Sequence, residues 1–350
     1  MAVIKAAPED FVVEEIPAYE PSGAGGHVFV RFTKRDMTTD AAVRAIARAV
    51  SVDPRAAGVA GMKDKRALTT QTVSFEPARG GRPEELCERI RALELPGIRV
   101  LDARRHEHKL KAGHLRGNRF AIRVRGVSDE EARAIVARVS AIAVTGVPNA
   151  FGEQRFGKEA DNAARARAIL AGKEAQPRDR RLWRLLCSSL QSDVFNAVLE
   201  ERVRRGTWAT AIRGDVLKKT DSGGLFVCTD EQEDGARAAR GEVSPTGPLP
   251  GPKMPRAEGE PGELEAAVAR ERLGDAWDAA MAGALGEGTR RALRLFVSDC
   301  KASISTEEVN CNTVAVAKQN EETSCLLEFV LPKGAFATTV LAHCTGARGG

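Results

Sequence analysis

From Arg119 to Arg125 apolar and basic residues alternate, with Phe120, Ile122 and Val124 on one side and Arg119, Arg123 and Arg125 on the other, interrupted only by Ala121. Successive side chains of a strand face opposite ways, so the pattern fits a strand with one buried face and fits no helix. His27 to Phe32 repeats it with Val28, Val30 and Phe32. Further strands are expected at Gln71 to Phe75 and near Ile98 to Leu101. Helix signals fall between them. Thr39-Asp40 caps a helix with the apolar stripe Val43, Ile46, Ala47 and Val50, and Pro83 to Leu93 places Leu86, Ile90 and Leu93 inward. Ser128 and Glu131 form a capping box for a helix that buries Ile135, Val136 and Val139. The expected class is α/β (α+β), a mixed sheet flanked by helices.

Beyond Val147 the texture changes. A glycine-rich turn region, Phe151 to Gly157, leads into helices over Ala160 to Leu170 and Leu182 to Arg205, the second closed by Gly206 as its C-cap. A hairpin-like segment, Gly214 to Cys228, follows. Glu231 to Glu263 is rich in Gly, Pro and charge and reads as loop, and a helix over Glu263 to Leu285 closes the block. Leu326 to Leu331 is the last strand signal. Residues 147–288 therefore read as an inserted α/β domain that interrupts one domain built from 1–146 plus 289–350.

Composition narrows the function classes. With 350 residues, 43% of them hydrophobic, the chain can bury one large core or two modest ones. It has no apolar run long enough to span a membrane, and its first eight residues lack the apolar core of a signal peptide. Seven cysteines without a CxxC pair suggest neither a disulfide framework nor a zinc site, so a reducing, cytoplasmic compartment and no metal are expected. The net charge of +5 is uneven: Arg104, Arg105, Lys109, Lys111, Arg116 and Arg119 crowd one stretch, and Arg178, Arg180, Arg181 and Arg184 another. Charge runs are commonly solvated faces, but two in one chain also suit a polyanionic partner. Nothing in the chain demands more than a monomer.

Three segments carry more specific chemistry. Ala60-Gly61-Met62-Lys63-Asp64-Lys65-Arg66 sets one carboxylate among cations, which favour its charged form and suit a nucleophile or general base. Aspartates are also common in surface turns, and physics alone favours that reading. Leu110 to Phe120 supplies Gly117 for a sharp turn, Asn118 as donor and acceptor, and Phe120 either as a stacking face for an unstacked base or as the first core residue of its strand. Gly146 to Gly157 packs turn formers, Phe151, Phe156, Gln154 and Arg155 into twelve residues, the composition of a loop over a ligand or of a hinge into the insertion.

Taken in order, these segments resemble the TruD family of tRNA pseudouridine synthases. Lys5 to Glu15 is similar to the family's N-terminal signature, Ser189 to Asn196 to its helical motif in the insertion, and Leu249-Pro250-Gly251 and Phe329 to Thr338 to later landmarks. The resemblance implies a pseudouridine-synthase fold, a catalytic domain over 1–146 plus 289–350, and a family-specific insertion. It implies isomerisation of a tRNA uridine, at position 13 in the D-arm, without a cofactor. That agrees with the absence of a dinucleotide glycine fingerprint or a P-loop. Asp64 matches the catalytic carboxylate, acting either on ribose C1′ as a nucleophile or on the C2′ proton through a glycal. Lys5 and Phe11 match residues near it, Asn118 and Phe120 match contacts to the nucleotide, and Gln154 and Arg155 match further substrate contacts. Lys63, Lys65, Arg116 and Arg119 are expected on the RNA backbone, where contacts set position rather than sequence. Two stretches depart from the pattern: Ala342-His343 stands where an Arg-Glu-like pair is expected, and 298–324 is polar. The competing reading is a non-catalytic RNA-binding or RNA-chaperone protein using the same basic face. A glycoside hydrolase would need a second acid, for which Glu14, Glu15 and Glu153 are available.

Overall fold

In the computed structural model, which describes residues 2–157, 159–308 and 321–346 with main chain alone at 307, 308, 321 and 322, the alternating segments are strands. The first seven are β1 (Val3–Ile4), β2 (Phe11–Pro17), β3 (His27–Arg35), β4 (Gly58–Val59), β5 (Leu68–Phe75), β6 (Ile98–His106) and β7 (Leu115–Arg125). Helices α1 (Thr39–Ala49), α2 (Pro83–Arg91) and α3 (Asp129–Thr145) accompany them. Next come strands β8 (Val147–Pro148), β9 (Val216–Lys219), β10 (Leu225–Val227), β11 (Val243–Leu249), β12 (Thr289–Ala292) and β13 (Arg294–Leu295). With them are helices α4 (Asn162–Leu170), α5 (Arg180–Arg204), α6 (Glu231–Ala239) and α7 (Gly259–Leu273). The chain returns through β14 (Ser298–Glu308) and β15 (Glu321–Pro332) and ends in a helix, Ala337–Thr345.

One sheet runs β14-β15-β7-β2-β5-β3-β6, with β1 added to β7 and β4 to β5. β2 and β5 are parallel and the other neighbours antiparallel, which makes the sheet mixed, as expected. Its core follows the period-two reading: Val28, Val30 and Phe32 pack against Val43 and Ile46 of α1, Ile90 of α2, and Phe75. The capping box at α3 is present, with Ser128 N–H donating to Glu131 Oε2 at 2.8 Å and Glu131 N–H to Ser128 Oγ at 3.2 Å. The N-cap of α1 differs from expectation. Thr38 accepts from Ala41 N–H, and Thr39 is buried with its hydroxyl turned elsewhere. Part of the polar stretch that departs from the family pattern is strand β14, paired with β15 from Ser298 to Glu308, and residues 309–320 lie outside the described residues.

The chain divides into two units, Met1–Ala143 with Val297–Ala337, and Val144–Phe296 with Thr338–Gly350. Against expected joins at 146/147 and 288/289, residues 144–146, 289–296 and those from Thr338 go with the second unit, where β12 pairs with β11 and β13 with β8. In that unit Leu186, Leu190 and Val194 of α5 pack on Ala163, Ala166 and Leu273. The segment Glu231 to Glu263, read as loop, holds α6, β11 and the start of α7, and is loop only at 240–242 and 250–258. Asp230 caps α6 by accepting from the N–H groups of Gln232 and Glu233 at 2.9 and 3.0 Å. β11 is a central, buried strand between β9 and β12 despite Pro245 and Pro248. Proline removes ladder donors and ordinarily marks an edge, which is why composition pointed to a loop. The expected helix from Glu263 to Leu285 is α7 as far as Leu273, is interrupted where Gly274 takes a φ of 53°, and continues as short helical turns through Ala284.

Candidate active site

Asp64 lies on the loop between β4 and β5, and buried side chains hold the main chain on both sides of it. Lys63 N–H donates to Thr39 Oγ1 at 3.0 Å, and that hydroxyl donates to Gln71 Oε1 at 3.0 Å. The Asp64 carbonyl accepts from Lys34 Nζ at 2.8 Å. Upstream, Gly113 N–H reaches Ala60 O at 2.8 Å. Lys63 Nζ pairs with Glu15 Oε2 at 2.7 Å, the two side chains being 5% and 2% exposed, and Glu15 Oε1 also takes Thr72 N–H at 3.1 Å. The loop is thus pinned from below while the Asp64 carboxylate stands exposed. Its Oδ2 accepts from Lys5 Nζ at 3.3 Å, and among the described residues Oδ1 has no partner. The Asp64 and Lys5 side chains are 53% and 30% exposed, so the pair is screened by solvent and contributes about 0–1 kcal/mol to stability.

Lys5 takes a left-handed backbone, φ 64°, a conformation that costs about 1–2 kcal/mol for a residue with a Cβ. Its ammonium sits 3.9 Å from the centroid of the buried Phe11 ring, a cation–π contact. The following turn is tied down by Asp10, which accepts a fork from Arg125 at 2.8 and 3.0 Å and Ala7 N–H at 2.9 Å. Burial alone would raise the Asp10 carboxyl, but the Arg125 and Ala7 hydrogen bonds outweigh it and hold the group below its ordinary range.

Phe120 is 7% exposed, stacked on Phe329 at 5.3 Å and edge-on to Phe11 at 6.3 Å. It fills the core between the two rings. Two residues earlier on the same face of β7, Asn118 has a buried Oδ1 with no hydrogen-bond partner. An unsatisfied buried acceptor costs about 1–3 kcal/mol, so the site is short of one N–H donor. Gly117 is required just before it, since a Cβ there would collide with the Leu331 carbonyl of β15.

The structure therefore gathers Lys5, Phe11, Asp64 and Phe120 through direct contacts, with Asn118 on the Phe120 strand face. Lys65, Arg116 and Arg119 are exposed, and Arg119 is loosely paired with Asp299 at 3.6 Å. Lys63 differs from expectation. Its ammonium is buried against Glu15 and braces the loop, which leaves it no free face for an RNA phosphate. In the second unit, Gln154 is exposed on a short turn, while Arg155 donates to Ser192 Oγ at 3.2 Å and lies 5.3 Å from the Phe151 ring. Arg291 lies 4.1 Å from the same ring and donates to Asn149 Oδ1 at 2.6 Å. Burial, then Arg155, pushes Arg291 down to about 10. Sequence reading missed Arg291 because Thr289 to Ala292 has no apolar alternation to mark it as a strand. Lys34 was missed although its signal was present, since it extends the buried row Val28, Val30, Phe32 by one step. Among the described residues no three His, Cys, Asp or Glu side chains converge as metal ligands would, and no helix is long and apolar enough to cross a membrane.

A solved structure from Methanosarcina mazei assigned as tRNA pseudouridine synthase D superposes with a TM-score of 0.78 at 25% identity, covering 99% of this chain and 93% of that one. Relatives called tRNA pseudouridine synthase D include one from Anaeromyxobacter dehalogenans (strain 2CP-C), 44% identical over 98% of this chain and 93% of its own length. Another, from Geobacter metallireducens, is 38% identical over 97% of this chain and 93% of its own length. The family model described as tRNA pseudouridine synthase D (TruD) matches residues 1–177 and 166–344. The fold is that of the pseudouridine synthases. The chain belongs to the TruD family.

Proposed function

We propose that this chain isomerises uridine to pseudouridine in tRNA, at position 13 of the D-arm, through the Asp64 carboxylate. The observation that carries this reading is Asp64 itself: its main chain is braced by Lys34, Thr39 and Glu15–Lys63 while Oδ1 stays free. Catalytic groups work best when their supporting shell fixes them and their reactive atom is open. In the nucleophilic route Oδ1 attacks ribose C1′, and uracil leaves with the electron pair of the N1–C1′ bond. The uracil turns, its C5 displaces the carboxylate from C1′, and the proton lost from C5 is balanced by one gained at N1. In the glycal route the same oxygen removes the C2′ proton and later returns it. Both routes need one unpartnered carboxylate oxygen, and neither consumes an external reactant.

The target base must leave the helical stack, which costs a few kcal/mol. The rings of Phe120 and Phe11 and the orphaned Asn118 Oδ1 suit a uracil, whose N3–H is a donor of the kind that acceptor lacks. Lys65, Arg116 and Arg119 hold backbone phosphates, and Gln154 and Arg155 are further tRNA contacts. The protein acts in the cytoplasm as a monomer. The relatives named above are all synthases, and no observation favours the non-catalytic RNA-binding alternative.

Mapping pseudouridine on an unmodified transcript tests the assignment. A single new pseudouridine at position 13, lost when that base is cytidine, is expected. Asp64→Asn is expected to bind the transcript with a dissociation constant within about threefold of the natural chain, since no phosphate contact is removed. Modification at other positions only would refute the site, and loss of binding in Asp64→Asn would assign the carboxylate to structure instead.

A further inference from the structure

Lys34 is among the largest fully buried side chains of the protein, at 0% exposure. A buried ammonium is ordinarily met by a carboxylate. This one donates instead to two main-chain carbonyls, Met37 O at 2.6 Å and Asp64 O at 2.8 Å, and among the described residues it forms no ion pair. The first acceptor closes the turn after β3. The second belongs to the residue whose carboxylate performs the proposed chemistry. A lysine at this place in an apolar row is costly for folding, and methionine would fill the same volume without that cost. The geometry offers one compensation, a fixed Asp64 peptide.

We propose that Lys34 is a positioning residue for the isomerisation, its buried ammonium fixing the Asp64 carbonyl and so the direction in which the Asp64 carboxylate leaves the loop. The inference rests on Asp64 being the acting carboxylate. Charge-assisted hydrogen bonds are about twice as strong as neutral ones, so the hold depends on the ammonium being charged. Three influences act on that charge. Burial pushes Lys34 down to about 8, Asp64 opposes the shift, and Lys63 adds to it. The hold is therefore complete well below pH 8 and weakens as pH rises through it. Stability moves the other way. Between about 8 and the ordinary lysine value of 10.5 the unfolded chain binds the proton that the folded chain has lost, so in this window the Lys34 titration stabilises the fold as pH rises. Activity lost there is therefore not unfolding driven by this group.

The test compares the natural chain with Lys34→Met and Lys34→Gln on an unmodified tRNA transcript, following single-turnover rate at saturating enzyme, dissociation constant and melting temperature between pH 6.5 and 9. A rate loss of about tenfold or more in Lys34→Met with tRNA affinity within about twofold supports the proposal. So does an alkaline limb near pH 8 in the natural chain that is absent from Lys34→Met, which separates it from titration of the RNA. Lys34→Gln, with a donor of similar reach and no charge, falls between them and has no limb. A Lys34→Met rate within about twofold of the natural one overturns the proposal, as do rate and affinity falling together. If neither variant folds, Lys34→Arg, which stays charged throughout this range, decides: a rate kept near the natural one with the limb near pH 8 removed supports the role, and a limb unchanged from the natural chain overturns it. If the natural chain makes no pseudouridine, the functional reading has failed, an outcome distinct from any of these.

Discussion

At Asp64 the chain separates two demands on one residue, a fixed main chain and a carboxylate with one open oxygen. The fixing residues come from β2, β3 and α1, each bringing a buried polar side chain to a loop that would otherwise be free to rearrange. Phe120 carries a similar double load, as a proposed contact to the base and as core between Phe329 and Phe11. We predict that Phe120→Ala lowers stability by about 3–5 kcal/mol, the usual range for a buried aromatic, read as a shift in denaturant midpoint, and that its rate falls further than its tRNA affinity. A cost under about 1 kcal/mol would mean that the ring is not core. Asp64 was legible as a candidate only through the resemblance, since its local motif alone favours a surface turn. Glu15, Thr39 and Lys34 were not, because their meaning depends on which strand lies beside which loop, and no local pattern encodes that.

At the scale of elements, β7 organises the first unit. It pairs with β1, β2 and β15, and its Arg125 reaches back to Asp10 to fix the turn that carries Lys5 toward Asp64. Asp10→Asn removes the charge from a buried pair and is expected to cost about 3 kcal/mol at neutral pH. The sign of its pH dependence follows from the depressed folded value: the contribution is present above the ordinary carboxyl value of 3.8 and is lost as pH falls through the lower folded one. Denaturant midpoints of variant and natural chain should differ at pH 7 and converge in acid; a gap that persisted unchanged would assign the cost to shape rather than charge. The loop has its own element-scale test. Thr39→Val leaves the Lys63 N–H without its acceptor and should cost about 1–3 kcal/mol, seen as a lower melting temperature. The alternating strands of the first unit were readable because one face of each is buried and the other is not. β11 was unreadable for the opposite reason: it is buried on both faces and carries two prolines, so it shows neither alternation nor strand composition.

At the scale of the whole molecule, the net charge is only +5, so affinity for a polyanion depends on where the cations lie rather than on their sum. Lys65, Arg116 and Arg119 are exposed on the unit that holds Asp64. We predict that tRNA affinity falls steeply with salt, and that replacing any one of them by alanine reduces the slope of log affinity against log salt by about 1. The variant Lys63→Ala should instead destabilise the fold by stranding Glu15 in the interior. A slope unchanged by all three exposed replacements would move the RNA elsewhere on the surface. The broad plan, a mixed sheet with a second α/β unit, was legible from periodicity and resemblance together, whereas the joins between units depend on the pairing of β12 with β11, which no linear pattern announces.

The central claim is that one carboxylate on this braced loop moves a uracil from its nitrogen to its carbon link. Forming the C5–C1′ bond expels the hydrogen on C5, so a transcript tritiated at uridine C5 reports the chemistry directly. The account predicts release of the tritium of one uridine per tRNA by the natural chain and none by Asp64→Asn bound to the same transcript. Equal release by both proteins, or none by either, would contradict it.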